Sequence, residues 1–241
     1  MTERRIVHYT FRSEKIRAPL HFAIATDLHS MPFDDVMGEM TASDAVLLPG
    51  DLVDRHSGDH REAARFLDTV PGMVPVFYSI GNHERKYPYA EEWYALVRQS
   101  KAVLLDNDCT HFRDICIGGL SSSWDHRGDT AFLERFEHEN GYRLLMCHHP
   151  EMYRTDVAGR DIDLTLCGHA HGGQINIGGI GLYAPGQGFF PKLTGGVYDG
   201  GKMLLSRGMT NGAFLPRINN PCELIILELR PADETEKTKE G

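Results

Sequence analysis

The sequence contains no apolar run long enough to form a transmembrane helix. Such a helix needs roughly 20 consecutive apolar residues, and no stretch of this kind occurs among the 241 residues. The amino-terminal residues Met1–Arg5 are mostly polar and are not followed by the apolar core of a signal peptide. We therefore expect a cytoplasmic protein without a transmembrane segment.

Paired cysteine motifs and a net positive charge are also lacking. The five cysteines are odd in number and show no Cys-x-x-Cys spacing, which argues against a disulfide framework. The formal net charge is -9. Binding to nucleic acid of any sequence depends on clustered cations that neutralise phosphates, so nucleic acid is not an expected partner. A small phosphorylated substrate stays compatible, because bound metal ions make a pocket locally positive.

Length and composition are those of an ordinary globular protein, with 41% hydrophobic and 24% charged residues. We expect one domain over residues 1–230, whereas 231–241 lacks apolar anchors and is expected to be disordered. Apolar runs alternate with helical patterns early, and β-rich segments follow later, which predicts an α/β fold of two packed sheets flanked by helices. Predicted helices cover about Phe33–Met40, His60–Val70, Glu91–Gln99 and Thr130–Glu139.

Five short segments that follow apolar runs carry the residues able to do chemistry. They are Asp27-Leu28-His29, Gly50-Asp51-Leu52-Val53-Asp54-Arg55, Gly81-Asn82-His83-Glu84, His148-His149-Pro150 and Gly168-His169-Ala170-His171. The ends of strands are where an α/β sheet places its binding site. Asp, His and Asn supply oxygen and nitrogen ligands for two divalent cations, and no thiolate is needed. The nearby Cys147 and Cys167 are expected to be buried thiols that act as small hydrophobes.

On these segments the chain resembles the calcineurin-like metallophosphoesterase superfamily, over about Leu20 to Leu229. The resemblance implies a four-layer αββα sandwich of two mixed β-sheets flanked by helices. The stretches Gly168–Gln174, Leu182–Pro185 and Leu205–Gly208 resemble one bacterial phosphodiesterase branch. Members of that branch are often membrane-associated or exported, and some cleave nucleotide-sugar lipids such as UDP-diacylglucosamine. This chain departs from them in its lack of an apolar anchor.

The resemblance also implies a ligand set for two divalent metal ions. The first ion would be held by Asp27, His29 and His171. The second would be held by Asn82, His148 and His169, and Asp51 would bridge the two ions. Two cations about 3.5–4 Å apart need an anion between them, which a bridging carboxylate and a bridging hydroxide supply. That hydroxide is then the in-line nucleophile at phosphorus. Manganese is the expected metal, and iron, zinc, cobalt or nickel are alternatives.

Catalytic roles are implied for four residues that need not touch a metal. His83 matches the general acid of the family, which protonates the leaving oxygen, and Glu84 is expected to set its tautomer or raise its pKa. Asp54 resembles the carboxylate that orients a ligand. Arg55 either clamps phosphate oxygens, as in some phosphatases, or is solvated.

Two further features leave alternatives open. The family pattern places a ligand two residues before a proline, which selects His148, and His149 is the alternative. The Gly-rich loop Gly178–Gly196 follows the last ligands directly. Its larger side chains either form a platform for a base or an acyl group or cover the core; they are Tyr183, Phe189, Phe190 and Pro191.

The expected function is hydrolysis of a phosphodiester or pyrophosphate bond in a small phosphorylated substrate, such as a nucleotide or a nucleotide-sugar lipid. A phosphoprotein or phosphomonoester phosphatase is the alternative enzyme, because Gly50–Arg55 and Gly81–Glu84 also resemble that group. A non-catalytic scaffold is the alternative from another class. Scaffolds typically lose ligands or the acid histidine, and this chain retains every expected position.

Overall fold

The computed structural model describes residues 4–125, 127–178, 180–211 and 215–232. In the described residues the strands are β1 (Arg5–Ser13), β2 (Leu20–Ile24), β3 (Ala45–Leu48), β4 (Val76–Ser79), β5 (Val103–Leu105), β6 (Asp108–Phe112), β7 (Ile115–Leu120), β8 (Tyr142–Cys147), β9 (Leu164–Cys167), β10 (Asn176–Ile177), β11 (Ile180–Gly181), β12 (Tyr183–Ala184), β13 (Gly188–Phe189), β14 (Gly196–Tyr198), β15 (Met203–Leu205) and β16 (Glu223–Pro231). The α-helices are α1 (Met37–Ala42), α2 (Arg61–Thr69), α3 (Asn82–Arg85), α4 (Ala90–Gln99), α5 (Thr130–Phe136) and α6 (Pro150–Met152).

Two six-stranded mixed sheets form the centre of the fold. The first has the order β1-β16-β2-β3-β4-β5, in which β2 to β5 run parallel and β16 runs antiparallel to β2. The second has the order β14-β15-β9-β8-β7-β6, in which β15, β9, β8 and β7 are parallel and the two edge strands are antiparallel. Central strands of four to six residues are buried on both faces, as expected for parallel strands that are covered on each side.

The apolar core lies in three layers. Side chains such as Phe22 and Met146 fill the space between the two sheets. The outer face of the first sheet packs against α1, α2 and α4 through Phe66 and Trp93, among others. The outer face of the second sheet packs against α5 through Phe132 and its neighbours. Helices therefore cover both outer faces, and the predicted αββα sandwich is confirmed.

The structure differs from the prediction in one helix, at the end of the last strand and in the Gly-rich loop. The helix predicted over Phe33–Met40 is a 3-10 turn at Asp34–Val36 followed by α1. The last strand extends to Pro231, and the backbone N–H of Ala232 donates to the carbonyl of Ser13, so the chain predicted to be disordered begins inside a strand. Residues 233–241 lie outside the described residues. The Gly-rich loop contributes β11, β12 and β13 to two short hairpins, β10–β11 and β12–β13, and residue 179 lies outside the described residues.

Phe66→Ala tests the packing of the first sheet against its helices. The Phe66 ring is fully buried and meets the Phe33 ring edge-on, with ring centroids 5.0 Å apart. Truncation should lower the free energy of unfolding by about 3–5 kcal/mol, measured by urea denaturation. Met73→Ala is the control, because its side chain is 65% exposed and its loss should stay within about 0.5 kcal/mol. Equal losses in both variants would contradict the described packing.

Candidate metal centre

The predicted ligands meet at one edge of the two sheets. Strands β2, β3 and β4 of the first sheet and β8 and β9 of the second end at this edge, because the carboxyl ends of parallel strands lie together. The chain that follows each strand contributes one part of the set. The seven side chains are buried or half-buried, and they are Asp27, His29, Asp51, Asn82, His148, His169 and His171.

Asp27, His29 and His171 form the first group of donor atoms. The Nε2 atoms of the two histidines are 3.3 Å apart, and Asp27 Oδ1 lies 3.8 Å from His29 Nε2 and 3.6 Å from His171 Nε2. Donors placed about 2.1 Å from one cation lie roughly 3.0–3.5 Å from one another at the usual ligand angles. The group is therefore close to the spacing that one divalent cation needs.

Asp51, His148 and His169 form the second group, with one donor atom of each within 4.8 Å of the others. His148 Nε2 lies 3.0 Å from Asp51 Oδ2 and 3.9 Å from Asp27 Oδ1, so the two groups are neighbours. Asn82 Oδ1 is buried and has no hydrogen-bond donor among the described residues. A buried amide oxygen in this position fits a metal ligand, because burying an unsatisfied polar atom otherwise costs free energy.

Backbone carbonyls orient two of the imidazole rings. Nδ1 of His148 lies 3.0 Å from the carbonyl of Pro49, and Nδ1 of His171 lies 3.3 Å from that of Thr210. A proton on Nδ1 that is donated to a carbonyl leaves the Nε2 lone pair available for a metal. His149, the alternative to His148, is buried with its ring against His169 at 4.1 Å between ring centroids. Of the two histidines, His148 is the one that contacts Asp51, and His149 packs against His169.

Burial and neighbouring charges keep most of the histidines neutral. Burial lowers the pKa of His29 to about 3, with His83 contributing, and lowers that of His171 to about 3, with the Arg217 guanidinium contributing. Burial also holds the pKa of His169 well below its usual value. Neutral imidazole is the form that binds a metal ion.

Asp51 and His148 behave differently because they are close together. Burial disfavours a charge on either group, but their mutual attraction outweighs it. The pKa of the Asp51 carboxyl lies well below its usual range, and that of His148 rises to about 10. A cation bound here would replace the His148 proton as the positive charge beside Asp51.

The backbone is strained at five of the seven predicted ligands. Asp27, His29, Asp51, His169 and His171 have φ angles of 57°, 49°, 58°, 70° and 46°, in the left-handed region that residues other than glycine rarely adopt. Each such residue costs on the order of 1–3 kcal/mol and persists only where the surroundings hold it. Strain of this kind is concentrated at functional sites.

Glu84 helps to stabilise the left-handed backbone conformation at Asp51. Its buried carboxylate accepts hydrogen bonds from the backbone N–H groups of Asp51, Leu52, Val53 and Gly81, at distances between 2.6 and 3.2 Å. The sequence predicted that Glu84 sets the tautomer of His83 or raises its pKa. Asp54 is the carboxylate that contacts the ring, and Glu84 contributes to the raised pKa after Asp51 and Asp54. Glu84 fixes the turn that carries Asp51, because its carboxylate is the acceptor for these donors.

Glycine is required where the two turns touch. A Cβ atom at Gly81 would lie 2.2 Å from Asp51 Oδ1, and one at Gly50 would lie 2.6 Å from the backbone of Gly81. Gly50 also has a φ angle of 110°, which side chains disfavour. The close approach of the two turns therefore depends on both glycines.

His83 lies at the border of the donor groups. Its backbone N–H donates to Asp51 Oδ1 at 2.8 Å, and its Nε2 is 3.9 Å from Asp51 Oδ2. Its Nδ1 lies 3.3 Å from Asp54 Oδ1 and accepts the backbone N–H of Arg55 at 3.1 Å. Burial lowers the pKa of His83, but Asp51 and Asp54 reverse this, and the net pKa is raised. Burial raises the pKa of Asp54, but His83 and the His56 backbone N–H bring it to about 2.

A cavity of about 650 Å³ opens over the donor groups. Arg55 and Tyr183, two residues singled out in the sequence, line it. Its lining also contains residues to which the sequence assigned no role: His56, Pro185 and Leu215. His56 accepts a hydrogen bond from the Arg55 Nε at 3.1 Å. Phe189 and Phe190 lie elsewhere in the Gly-rich loop and are 71% and 68% exposed.

Arg217 was not predicted at all. Its Nη2 lies 3.0 Å from His171 Nδ1 and donates to the carbonyls of Thr210 and Arg207. Nothing in the local sequence signals this contact, since Arg217 lies 46 residues after His171 in a loop without a motif. Cys147 and Cys167 are buried in the core outside the second sheet, as predicted.

Clustered carboxylates and imidazoles at the strand ends of an αββα sandwich define a class of protein, the metal-dependent phosphoesterases. The family model described as calcineurin-like phosphoesterase matches residues 20–173, and the chain belongs to that family. It is therefore a hydrolase of phosphoric ester bonds with groups of side chains able to bind divalent metals.

Similar proteins occur in several bacteria. The chain is 27% identical over 191 residues to the uncharacterized protein YpbG of Bacillus subtilis, covering 74% of this chain and 72% of that protein. It is 28% identical over 220 residues to an uncharacterized metallophosphoesterase of Campylobacter jejuni, covering 86% and 56%. For one from Helicobacter pylori the values are 27% over 177 residues, covering 67% and 47%. The chain thus spans about half the length of the last two relatives. Within the described ranges, no helix is both long and apolar enough to cross a membrane.

Glu84→Gln tests the role of the buried carboxylate. The amide would offer one oxygen in place of two, and its NH2 group would face backbone donors. Loss of charge-assisted bonds should lower the free energy of unfolding by about 3 kcal/mol, and metal content should fall with it. Denaturation and elemental analysis measure the two effects. Glu134→Gln, at an exposed position of α5, is the control. A Glu84→Gln protein as stable and as metal-rich as the control would contradict this role.

Proposed function

We propose that this chain uses two divalent metal ions to hydrolyse a phosphodiester or pyrophosphate bond in a small substrate. The observation that carries the proposal is the meeting of two donor groups around Asp51 at the base of one cavity. Asp27, His29 and His171 would hold one ion. The carboxylate of Asp51 would lie between both ions, and the remaining ligands would be Asn82, His148 and His169.

Cations in this place would supply an activated water for in-line attack and charge to offset the phosphate oxygens. Asp51 is suited to lie between them, because its pKa is far below neutral and its Oδ1 is already fixed by the His83 backbone N–H. The donor set contains oxygen and nitrogen and no sulfur, which suits manganese, iron, zinc, cobalt or nickel. Manganese is the metal we propose.

His83 is proposed as the general acid. Its Nε2 faces the site near Asp51, while Asp54 contacts Nδ1 on the other side of the ring. Burial lowers the pKa of the ring, but the two carboxylates outweigh it and favour a proton on Nε2, because Nδ1 accepts the Arg55 N–H. The proton would pass from Nε2 to the leaving oxygen. Arg55 and His56 line the cavity and would contact phosphate oxygens.

The shape of the cavity favours a small substrate with an apolar or planar part. Its volume lies within the range of about 300–1,000 Å³ that is usual for small-molecule sites. Besides the polar donors, the lining contains the larger side chains of Tyr183, Pro185 and Leu215. The exposed Phe189 pairs with Tyr183, with 5.7 Å between ring centroids. This arrangement supports a nucleotide or a nucleotide-sugar lipid over a phosphorylated side chain of a folded protein.

A substrate panel separates the two enzyme alternatives. Manganese-loaded protein should hydrolyse bis(p-nitrophenyl) phosphate and a nucleotide diester or pyrophosphate faster than a phosphopeptide at equal concentration. Higher kcat/KM on the phosphopeptide would favour a phosphoprotein phosphatase. Absence of turnover with every substrate and each of the five metals would favour a scaffold.

His83→Ala should retain the metals and lose activity in a way that depends on the leaving group. General acids contribute about 10²–10⁴-fold, and a nitrophenolate leaves without protonation whereas an alkoxide does not. The loss should therefore be large for an alkyl phosphodiester and much smaller for a nitrophenyl one. Both rates are measured at the same pH and metal concentration, with metal content determined in parallel.

His138→Ala serves as the matched control, because His138 is exposed and lies away from the cavity. It should leave both rates unchanged. An equal loss on both substrates in His83→Ala would assign His83 to positioning instead. Loss of one metal ion from that variant would make it a ligand.

A further inference from the structure

A second group of side chains able to bind a metal lies on the β6–β7 hairpin. It is away from the edge of the two sheets where the proposed catalytic residues meet, which we call the catalytic edge. In the antiparallel register His111 pairs with Cys116, and Cys109 lies two residues before His111 on the same face of β6. The segment after α5 brings Glu139 to this face. Two thiols, an imidazole and a carboxylate thus converge from two strands and a loop.

The donor atoms are already close to one another. Those of His111, Cys116 and Glu139 all lie within 4.8 Å of each other. His111 Nε2 is 3.4 Å from a Glu139 carboxylate oxygen. Cys109 pairs with Gly118, which makes Cys109 and Cys116 diagonal neighbours on the same face of the hairpin.

We propose that Cys109, His111, Cys116 and Glu139 bind a zinc ion. Structural zinc is held by four tetrahedral ligands, with Zn–S distances near 2.3 Å and Zn–N distances of about 2.0–2.1 Å. Thiolates select zinc over magnesium, calcium or manganese, which prefer oxygen. Both thiols lose their protons to solvent when the ion binds.

Burial raises the pKa of both thiols, so a bound ion must displace their protons. Cys116 is buried and Cys109 is half-buried, whereas His111 and Glu139 are exposed enough to admit an ion from solvent. Two thiolates and a carboxylate exceed the charge of one zinc ion by a single negative unit. Arg143 is the strand neighbour of Cys116 and lies near its thiol, where it offsets part of that excess.

The bound ion would stabilise the edge strand β6 of the second sheet and would have no catalytic role. Cys116 is the second residue of β7, roughly 13 Å along the strand from the catalytic end at Leu120. The ion would cross-link the edge strand β6 to the segment after α5. A cross-link of this kind closes a loop and limits fraying of the exposed edge.

Cobalt(II) titration of the metal-free, reduced full-length protein tests the proposal. Cobalt bound to thiolate gives an intense near-ultraviolet charge-transfer band, and the proposed catalytic ligands include no thiol. The band should appear in the unmodified protein, vanish on addition of zinc and lose much of its intensity in Cys116→Ser, where Cys109 is the one remaining thiolate of the site. Cys167→Ser is the matched control: its thiol adjoins the catalytic edge, and its band should remain.

His111→Ala keeps the test valid if Cys116→Ser fails to fold, because His111 is exposed. This variant should bind zinc at least about tenfold more weakly, since even loss of a supporting partner costs 10–100-fold. Its hydrolysis of bis(p-nitrophenyl) phosphate should be unchanged. The proposal would be overturned by absence of the band, by an undiminished band in Cys116→Ser, by its loss in Cys167→Ser, or by displacement of the band in His111→Ala at the same zinc concentration as in the unmodified protein.

Discussion

The carboxylate of Glu84 is the contact on which the catalytic edge depends. It accepts four backbone N–H groups, three from the turn after β3 and one from the turn after β4, and so joins the strand ends that carry Asp51 and Asn82. Burial and the nearby Asp51 charge raise the pKa of Glu84, so its placement is costly in itself. The hydrogen bonds offset this cost and hold Asp51 in its left-handed conformation.

Electrostatics at the edge follow from burial more than from the overall charge of -9. Desolvation leaves His29, His169 and His171 neutral, while Asp51 stays ionised through its attraction to His148. Neutral imidazoles around an ionised carboxylate attract a divalent cation. The exposed Phe189 contacts Tyr183 of the cavity lining, which suits a substrate that has an apolar part.

The sequence predicted the sandwich and most of its central elements, because short apolar runs such as Ala45–Leu48 and the amphipathic pattern of α2 are local signals. It missed the two-residue strands of the Gly-rich loop, which have no periodicity to detect. The hydrogen bonds of Glu84 and the contact between Arg217 and His171 were also missed. Both depend on residues distant in sequence, and no local pattern encodes them.

Electron paramagnetic resonance of the manganese-loaded protein tests the central claim most directly. Two manganese ions bridged by Asp51 are close enough to couple magnetically, and the account predicts the spectrum of an exchange-coupled pair. Asp51→Asn should abolish the coupling, because a neutral amide cannot offset two dications. A spectrum of isolated manganese in the unmodified protein at saturating metal, or an unchanged coupled spectrum in Asp51→Asn, would contradict the claim that Asp51 bridges two ions.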